Sequence, residues 1–129
     1  MEAAVQSGNY RKTFHMMFGK GVVKFYQDML GKYDVVTSTG CFLEGHIPAS
    51  CFEEAHALLK PGGHFVTAMR SEYFISGQKE GYKDKLDEMV AEGKFKLLKV
   101  WTFKRGIAGA TDPMFEEMSN TMFICERTH

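Results

Sequence analysis

Three groups of residues in this chain are suited to chemistry. Ser38-Thr39-Gly40-Cys41 stands at the end of a β-branched apolar run that begins at Tyr33. Such a corner offers two hydroxyls and a backbone that a ligand can approach closely, and ligands of open α/β sheets bind beyond the carboxyl ends of the strands. A strand that simply stops uses the same residue types. Glu44 and His46 follow in the connection, where a carboxylate and an imidazole suit proton transfer or a substrate contact; a solvated loop is the plainer alternative. Arg70 and Tyr73, with Glu72 between them, come directly after a second apolar run and share the same rim, where substrate contacts are expected if it is not merely a surface loop. Cys41, His46, Cys51 and His56 recur every five residues, a spacing that does not gather four ligands on one helix face, and no close cysteine pair is present. No metal is therefore expected. Cys41 as a nucleophile would need a base and a depressed pKa, and a small strand-end residue is the simpler role.

These residues need a strand, a crossover helix and a second strand to hold them. Tyr33 to Thr37 is β-branched and apolar enough for a strand covered on both faces. From Ser50 to Leu59 the apolar residues Cys51, Phe52, Ala55, Leu58 and Leu59 recur at helical spacing, with Glu53, Glu54 and His56 on the opposite side. Ser50 and Glu53 fit a capping box, and Lys60-Pro61-Gly62-Gly63 reads as the helix stop. His64 to Met69 is again strand-like, so the unit is a parallel βαβ crossover.

Around that unit, Glu2 to Gln6 reads as the last turn of a helix stopped at Gly8-Asn9, and Thr13 to Phe18 as a short strand. Val22 to Leu30 fits either a helical turn or an irregular connection. Tyr82 to Glu92 is an amphipathic helix with Tyr82, Leu86, Met89 and Val90 on its apolar face and Gly93 as its cap. Phe95 to Lys104 alternates as a long strand, with Phe95, Leu97, Lys99, Trp101 and Phe103 on one side. Asn120 to Glu126 is the last strand, antiparallel to its predecessor, and Ser71 to Gly81 and Arg105 to Met118 are connections. The expected class is therefore α/β, a mostly parallel sheet with an antiparallel last strand.

At 129 residues with 11 phenylalanines the chain can bury one domain core. Sixteen basic residues against sixteen acidic ones give no net charge to attract nucleic acid or an anionic membrane. No run of about 18 apolar residues and no leader pattern is present, and three cysteines do not make a disulfide framework, so a cytoplasmic location, or a nuclear one, is expected.

The order of these elements, with YDVV ending one strand and LLKPGG leading into the next, resembles the later part of a class I S-adenosylmethionine-dependent methyltransferase, a Rossmann-like fold. YDVVTSTGCFLEGHIP followed by LLKPGGHFVTAMR is similar to the methyltransferase-like protein 27 (Williams-Beuren region) group. The resemblance implies S-adenosyl-L-methionine as cofactor, with Met17 and Phe18 near the adenine and Ser38, Thr39, Gly40 and Cys41 near the methionine part. It implies methyl transfer to a small-molecule or protein acceptor, with Glu44, His46, Arg70 and Tyr73 as the candidate substrate contacts and no catalytic side chain assigned. It also places Met1 inside the family's second helix, which leaves the glycine-rich turn and the acidic ribose partner outside these residues: residues 1–129 are then an N-terminally truncated single domain. Weak or absent cofactor binding by these 129 residues is expected, as is self-association through an apolar edge at Phe14, Met16, Phe18, Val35 and Val36. The alternative is a shortened, non-catalytic remnant acting through protein contacts.

Overall fold

The structure is a computed structural model, and it describes residues 6–9, 18–21, 26–39, 47–105 and 118–129. Strand β1 (Tyr33–Thr39), helix α1 (Cys51–Leu58) and strand β2 (Leu59–Arg70) follow in succession. β1 and β2 pair in parallel, with Val36 opposite Phe65 and Ser38 opposite Thr67, as a crossover helix between two apolar strands requires. Helix α2 (Tyr82–Ala91), strand β3 (Phe95–Arg105) and strand β4 (Met118–Arg127) follow. The sheet order is β1-β2-β4-β3; β4 is antiparallel to both neighbours, so the other three strands share one direction.

Both helices cover the same face. Phe52 and Ala55 of α1 and Leu86 and Met89 of α2 join Phe65, Phe95, Phe123 and Cys125 of the strands in one buried cluster. Phe65 is its centre, with ring centroids 5.6 Å from Phe52, 6.1 Å from Phe123 and 6.2 Å from Phe95. Burying one such side chain contributes about 1.5–3 kcal/mol, and ring contacts at these distances add to it. A Lys85–Glu53 pair at 2.8 Å ties the helices across their exposed side. Being surface-exposed, it contributes little.

The ends of the helices differ from the sequence expectation. Ser50 makes no capping bond within α1; its hydroxyl donates instead to the Gly19 carbonyl at 2.7 Å, and Glu53 is spent on Lys85. Nor is Lys60-Pro61-Gly62-Gly63 a helix cap: α1 ends at Leu58, and these four residues bulge from β2 where β1 has only Asp34. A Cβ on Gly63 would stand 2.9 Å from the Lys60 carbonyl and 3.0 Å from that of Asp34, so the strands approach too closely there for a side chain. The last carbonyls of α1 find partners elsewhere in the fold. Gly31 N–H donates to Ala57 and Lys32 N–H to Leu58, at 2.8 and 3.0 Å, while the Arg127 guanidinium donates to His56 at 2.9 Å and also to Leu59. By contrast α2 ends on Gly93 as expected, with Lys94 N–H donating to Met89 and Gly93 N–H to Val90. Val90 itself lies exposed rather than on the buried face.

Strand β3 carries a further correction. Leu97 faces Cys125, but Lys99 faces Ile124, so Leu98 is one extra residue. A bulge of this kind reverses the alternation beyond it. Phe95 and Leu97 pack on the helical face, whereas Lys99, Trp101 and Phe103 share the opposite face, where the Lys99 ammonium lies 4.8 Å from the Trp101 ring centroid.

The expected strand at Thr13 to Phe18 lies outside the described residues except for Phe18, which stands in a turn, and Val22 to Leu30 contributes a 3-10 turn at Gln27–Met29. Of the residues expected on an apolar edge, Phe14 and Met16 are also outside them. Val36 and Phe18 pack against the core instead, and Val35 is 50% exposed. Among the described residues no helix is long and apolar enough to cross a membrane.

Candidate functional site

Parallel pairing brings the carboxyl ends of β1 and β2 to one edge of the sheet, and the antiparallel β4 begins at that same edge. Ser38 and Thr39 come from β1, Arg70 from β2, and Asn120, which is opposite both Arg70 and Phe103, from β4. Ser38 is half-buried, and its carbonyl accepts the Thr67 hydroxyl at 2.6 Å, a bond that fixes the strand end. Thr39 is exposed beside it. Met17, Gly40, Cys41, Glu44 and His46 lie outside the described residues.

The other candidates divide. Arg70 sits on the rim in an ion pair with Glu72 at 2.8 Å, an exposed contact that a substrate can displace at small cost. Tyr73, in a 3-10 turn at Ser71–Tyr73, packs towards the interior with its ring centroid 6.4 Å from Tyr82. The Ser71 hydroxyl lies 2.9 Å from both Ser119 and Thr121, which ties the end of β2 to the start of β4. A shallow cleft of about 360 Å³ opens beside this rim between Glu72, Tyr73, Gln78, Lys79 and Glu80. Phe18, half-buried, packs against the core cluster next to the Gly19-Lys20-Gly21 turn.

A larger cleft, about 410 Å³, lies on the helical layer, lined by Glu53, His56, Met89 and Lys94 among others. It does not involve the strand ends. His56 there meets Phe95 edge-on at 5.3 Å, and burial, followed by the nearby Arg127 charge, holds its pKa below the ordinary value of 6.5. Cys51 is fully buried, and burial pushes the Cys125 thiol up to about 12, so both are inert core thiols. Two members of the Cys/His series therefore serve packing. Among the described residues no group of three His, Cys, Asp or Glu side chains is placed to hold a metal.

One residue departs from its expected place. Glu54, expected on the polar side of α1, is 7% exposed and accepts the Gly19 and Gly21 N–H groups at 2.5 and 2.7 Å. Only the two glycines flanking Lys20, with their freedom for positive φ, hinted at such a turn. Tyr82 is buried too: its hydroxyl donates to the Ile47 carbonyl at 2.5 Å and so holds the segment that leads into α1, while burial pushes its pKa up to about 12.

No protein-family profile and no curated protein matches the sequence significantly. Solved structures do match the fold. A putative methyltransferase from Bacillus halodurans aligns over 99% of this chain and 77% of its own length, with 12% identity and a TM-score of 0.54. A SAM-dependent methyltransferase from Methanosarcina mazei aligns over 77% of this chain with 12% identity and a TM-score of 0.51, and the chain spans 61% of that protein's length. Strand order, the reversed β4 and this likeness together establish that the chain has the Rossmann-like fold of the S-adenosylmethionine-dependent methyltransferases.

Proposed function

We propose that residues 1–129 form part of one methyltransferase domain that binds S-adenosyl-L-methionine and passes its methyl group to a small-molecule or protein acceptor. The observation that carries this reading is the shared rim of β1 and β2 in a methyltransferase fold, where Ser38, Thr39 and Arg70 stand together. The motifs YDVVTSTGCFLEGHIP and LLKPGGHFVTAMR favour the methyltransferase-like protein 27 group. Met17, Phe18 and Ser38 to Cys41 are the proposed cofactor contacts, and Glu44, His46, Arg70 and Tyr73 the proposed acceptor contacts. Hydroxyls and a fixed strand end at Ser38 and Thr39 suit the cofactor in kind, and Phe18 offers a half-buried ring.

Bound there, S-adenosylmethionine supplies an electrophilic methyl. The chain's own residues then orient the acceptor and exclude water, which carries most of the rate in a displacement of this type. A base is required only where the acceptor must lose a proton. With sixteen cationic and sixteen acidic residues, no charge excess favours a nucleic-acid acceptor over a small molecule or protein. The buried thiols of Cys51 and Cys125 suit a reducing compartment, and we assign the cytosol. Tyr33 and Val35, exposed on β1, are the surface we assign to self-association. Sedimentation velocity at micromolar concentration should then show dimers or larger species; a stable monomer removes that assignment.

The reading is tested by a residue-resolved amide titration with S-adenosylhomocysteine at millimolar concentration. Affinity in the millimolar range is expected, since weak binding by these residues alone corresponds to only about −4 kcal/mol. Shifts should concentrate at Phe18, Ser38 and Thr39. Changes confined to β3, or none at all, would refute it, and the second outcome would favour a non-catalytic remnant.

A further inference from the structure

We propose that Glu54 is a positioning residue for the cofactor, setting the turn after Phe18 at a fixed distance from the rim of β1. This inference rests on the methyltransferase reading. Three observations carry it. First, the Glu54 carboxylate is buried, and each of its oxygens takes one backbone N–H of the same turn, Gly19 at 2.5 Å on Oε2 and Gly21 at 2.7 Å on Oε1. A surface turn that only connects two segments has its amides solvated at no cost, whereas burying a carboxylate is expensive unless its bonds are well made. Second, the turn is held from two further directions. Ser50 Oγ donates to the Gly19 carbonyl at 2.7 Å, and a Cβ at Gly19 would stand 2.8 Å from Pro48 Cγ, so the turn lies flush against the start of α1. Third, the start of α1 is itself anchored, because the Tyr82 hydroxyl donates to Ile47 at 2.5 Å.

The consequence is a rigid link between two parts of the proposed site. Phe18 leads into the clamped turn, while α1 packs through Phe52 on Phe65 of β2, the strand whose Thr67 donates to the Ser38 carbonyl of β1. Glu54, projecting from α1, is the side chain through which the two are held in register. A site whose parts must grip two ends of one ligand depends on such support, because a displacement of about 1 Å weakens binding markedly. Glu54 touches no ligand; it acts through the turn.

The test compares the 129-residue chain with Glu54→Gln and, as a milder variant, Ser50→Ala. S-adenosylhomocysteine is titrated into each while amide spectra are recorded, and urea unfolding is measured in parallel. Glu54→Gln keeps the size but turns an amide NH2 towards one of the two N–H donors. It is expected to keep a dispersed spectrum while binding about tenfold more weakly, the equivalent of one strong hydrogen bond. Ligand-induced shifts at Phe18 should shrink while those at Ser38 and Thr39 persist. Ser50→Ala, which loses only the second tether, is expected to bind about threefold more weakly on the same scale. If Glu54→Gln unfolds at lower urea but binds with wild-type affinity, Glu54 only stabilises the fold and the proposal is wrong. If Glu54→Gln does not fold, unchanged affinity in Ser50→Ala overturns it instead. A wild-type chain that shows no response removes the methyltransferase reading and this inference together, whereas a responding wild type with indifferent variants removes this inference alone.

Discussion

Phe65→Ala is expected to lower stability by about 3–5 kcal/mol, the range for deleting a fully buried aromatic ring. Domains of this kind have only about 5–15 kcal/mol in total. The ring is fully buried and meets Phe52, Phe95 and Phe123, so one substitution strips contacts from α1, β3 and β4 at once. A urea titration followed by circular dichroism should show the midpoint fall sharply or the native baseline vanish. Phe103→Ala is the control. That ring is 38% exposed on the far side of the β3 bulge, and its loss should cost less than about 1 kcal/mol. Equal effects at the two positions would mean that the core is not centred where the rings meet.

The second large effect is expected at Arg127, far from the core in chemistry although next to it in space. Its guanidinium donates to the carbonyls of His56, in the last turn of α1, and Leu59, the residue that follows the helix, and so braces the helix end. Removing it in Arg127→Ala should cost about 1.5–3 kcal/mol, the value of hydrogen bonds to a charged group. The loss should depend on pH. Burial first, and then the Arg127 charge, depress the pKa of His56 below 6.5, so the unfolded chain takes up a proton that the folded chain resists. Stability is therefore full above the unfolded value and falls as pH drops below it. Without Arg127 the imidazolium meets less repulsion, so the variant should lose less stability on acidification than the wild type. The gap between the two should be widest near about pH 7.5 and narrower near about pH 5.5. A penalty that is the same at both values would show that His56 and Arg127 are uncoupled.

Periodicity and residue type made β1, α1, β2, α2 and β4 legible. Each is a local matter: Val35 and Val36 favour an extended chain, while Phe52, Ala55 and Leu58 repeat at the spacing of a helix face. The parallel pairing of β1 with β2 followed from the helix between them, and the rim that carries Ser38, Thr39 and Arg70 followed from the pairing. Tyr73 was placed on that rim by its position after the strand, yet its ring turns inward, because Tyr82 offers it an aromatic contact that no local pattern contains.

What the sequence by itself determined is the identity of the elements, their order and the edge of the sheet at which Ser38, Thr39 and Arg70 gather, since all of these depend on neighbours a few positions apart. What only the tertiary structure decided are features whose partners are distant in the chain. Leu98 is an extra residue only because Cys125 and Ile124 on β4 fix the register opposite it, and that register sends Trp101 to the face its alternation with Phe95 denied. Lys60 to Gly63 became a bulge in place of a helix cap because Arg127, Gly31 and Lys32 had already satisfied the carbonyls that a glycine cap would have served. Glu54 looked like an ordinary solvated helix acid. Its burial was decided by two amides 35 and 33 positions away, at Gly19 and Gly21, because a carboxylate enters a protein interior only where donors already wait to receive it.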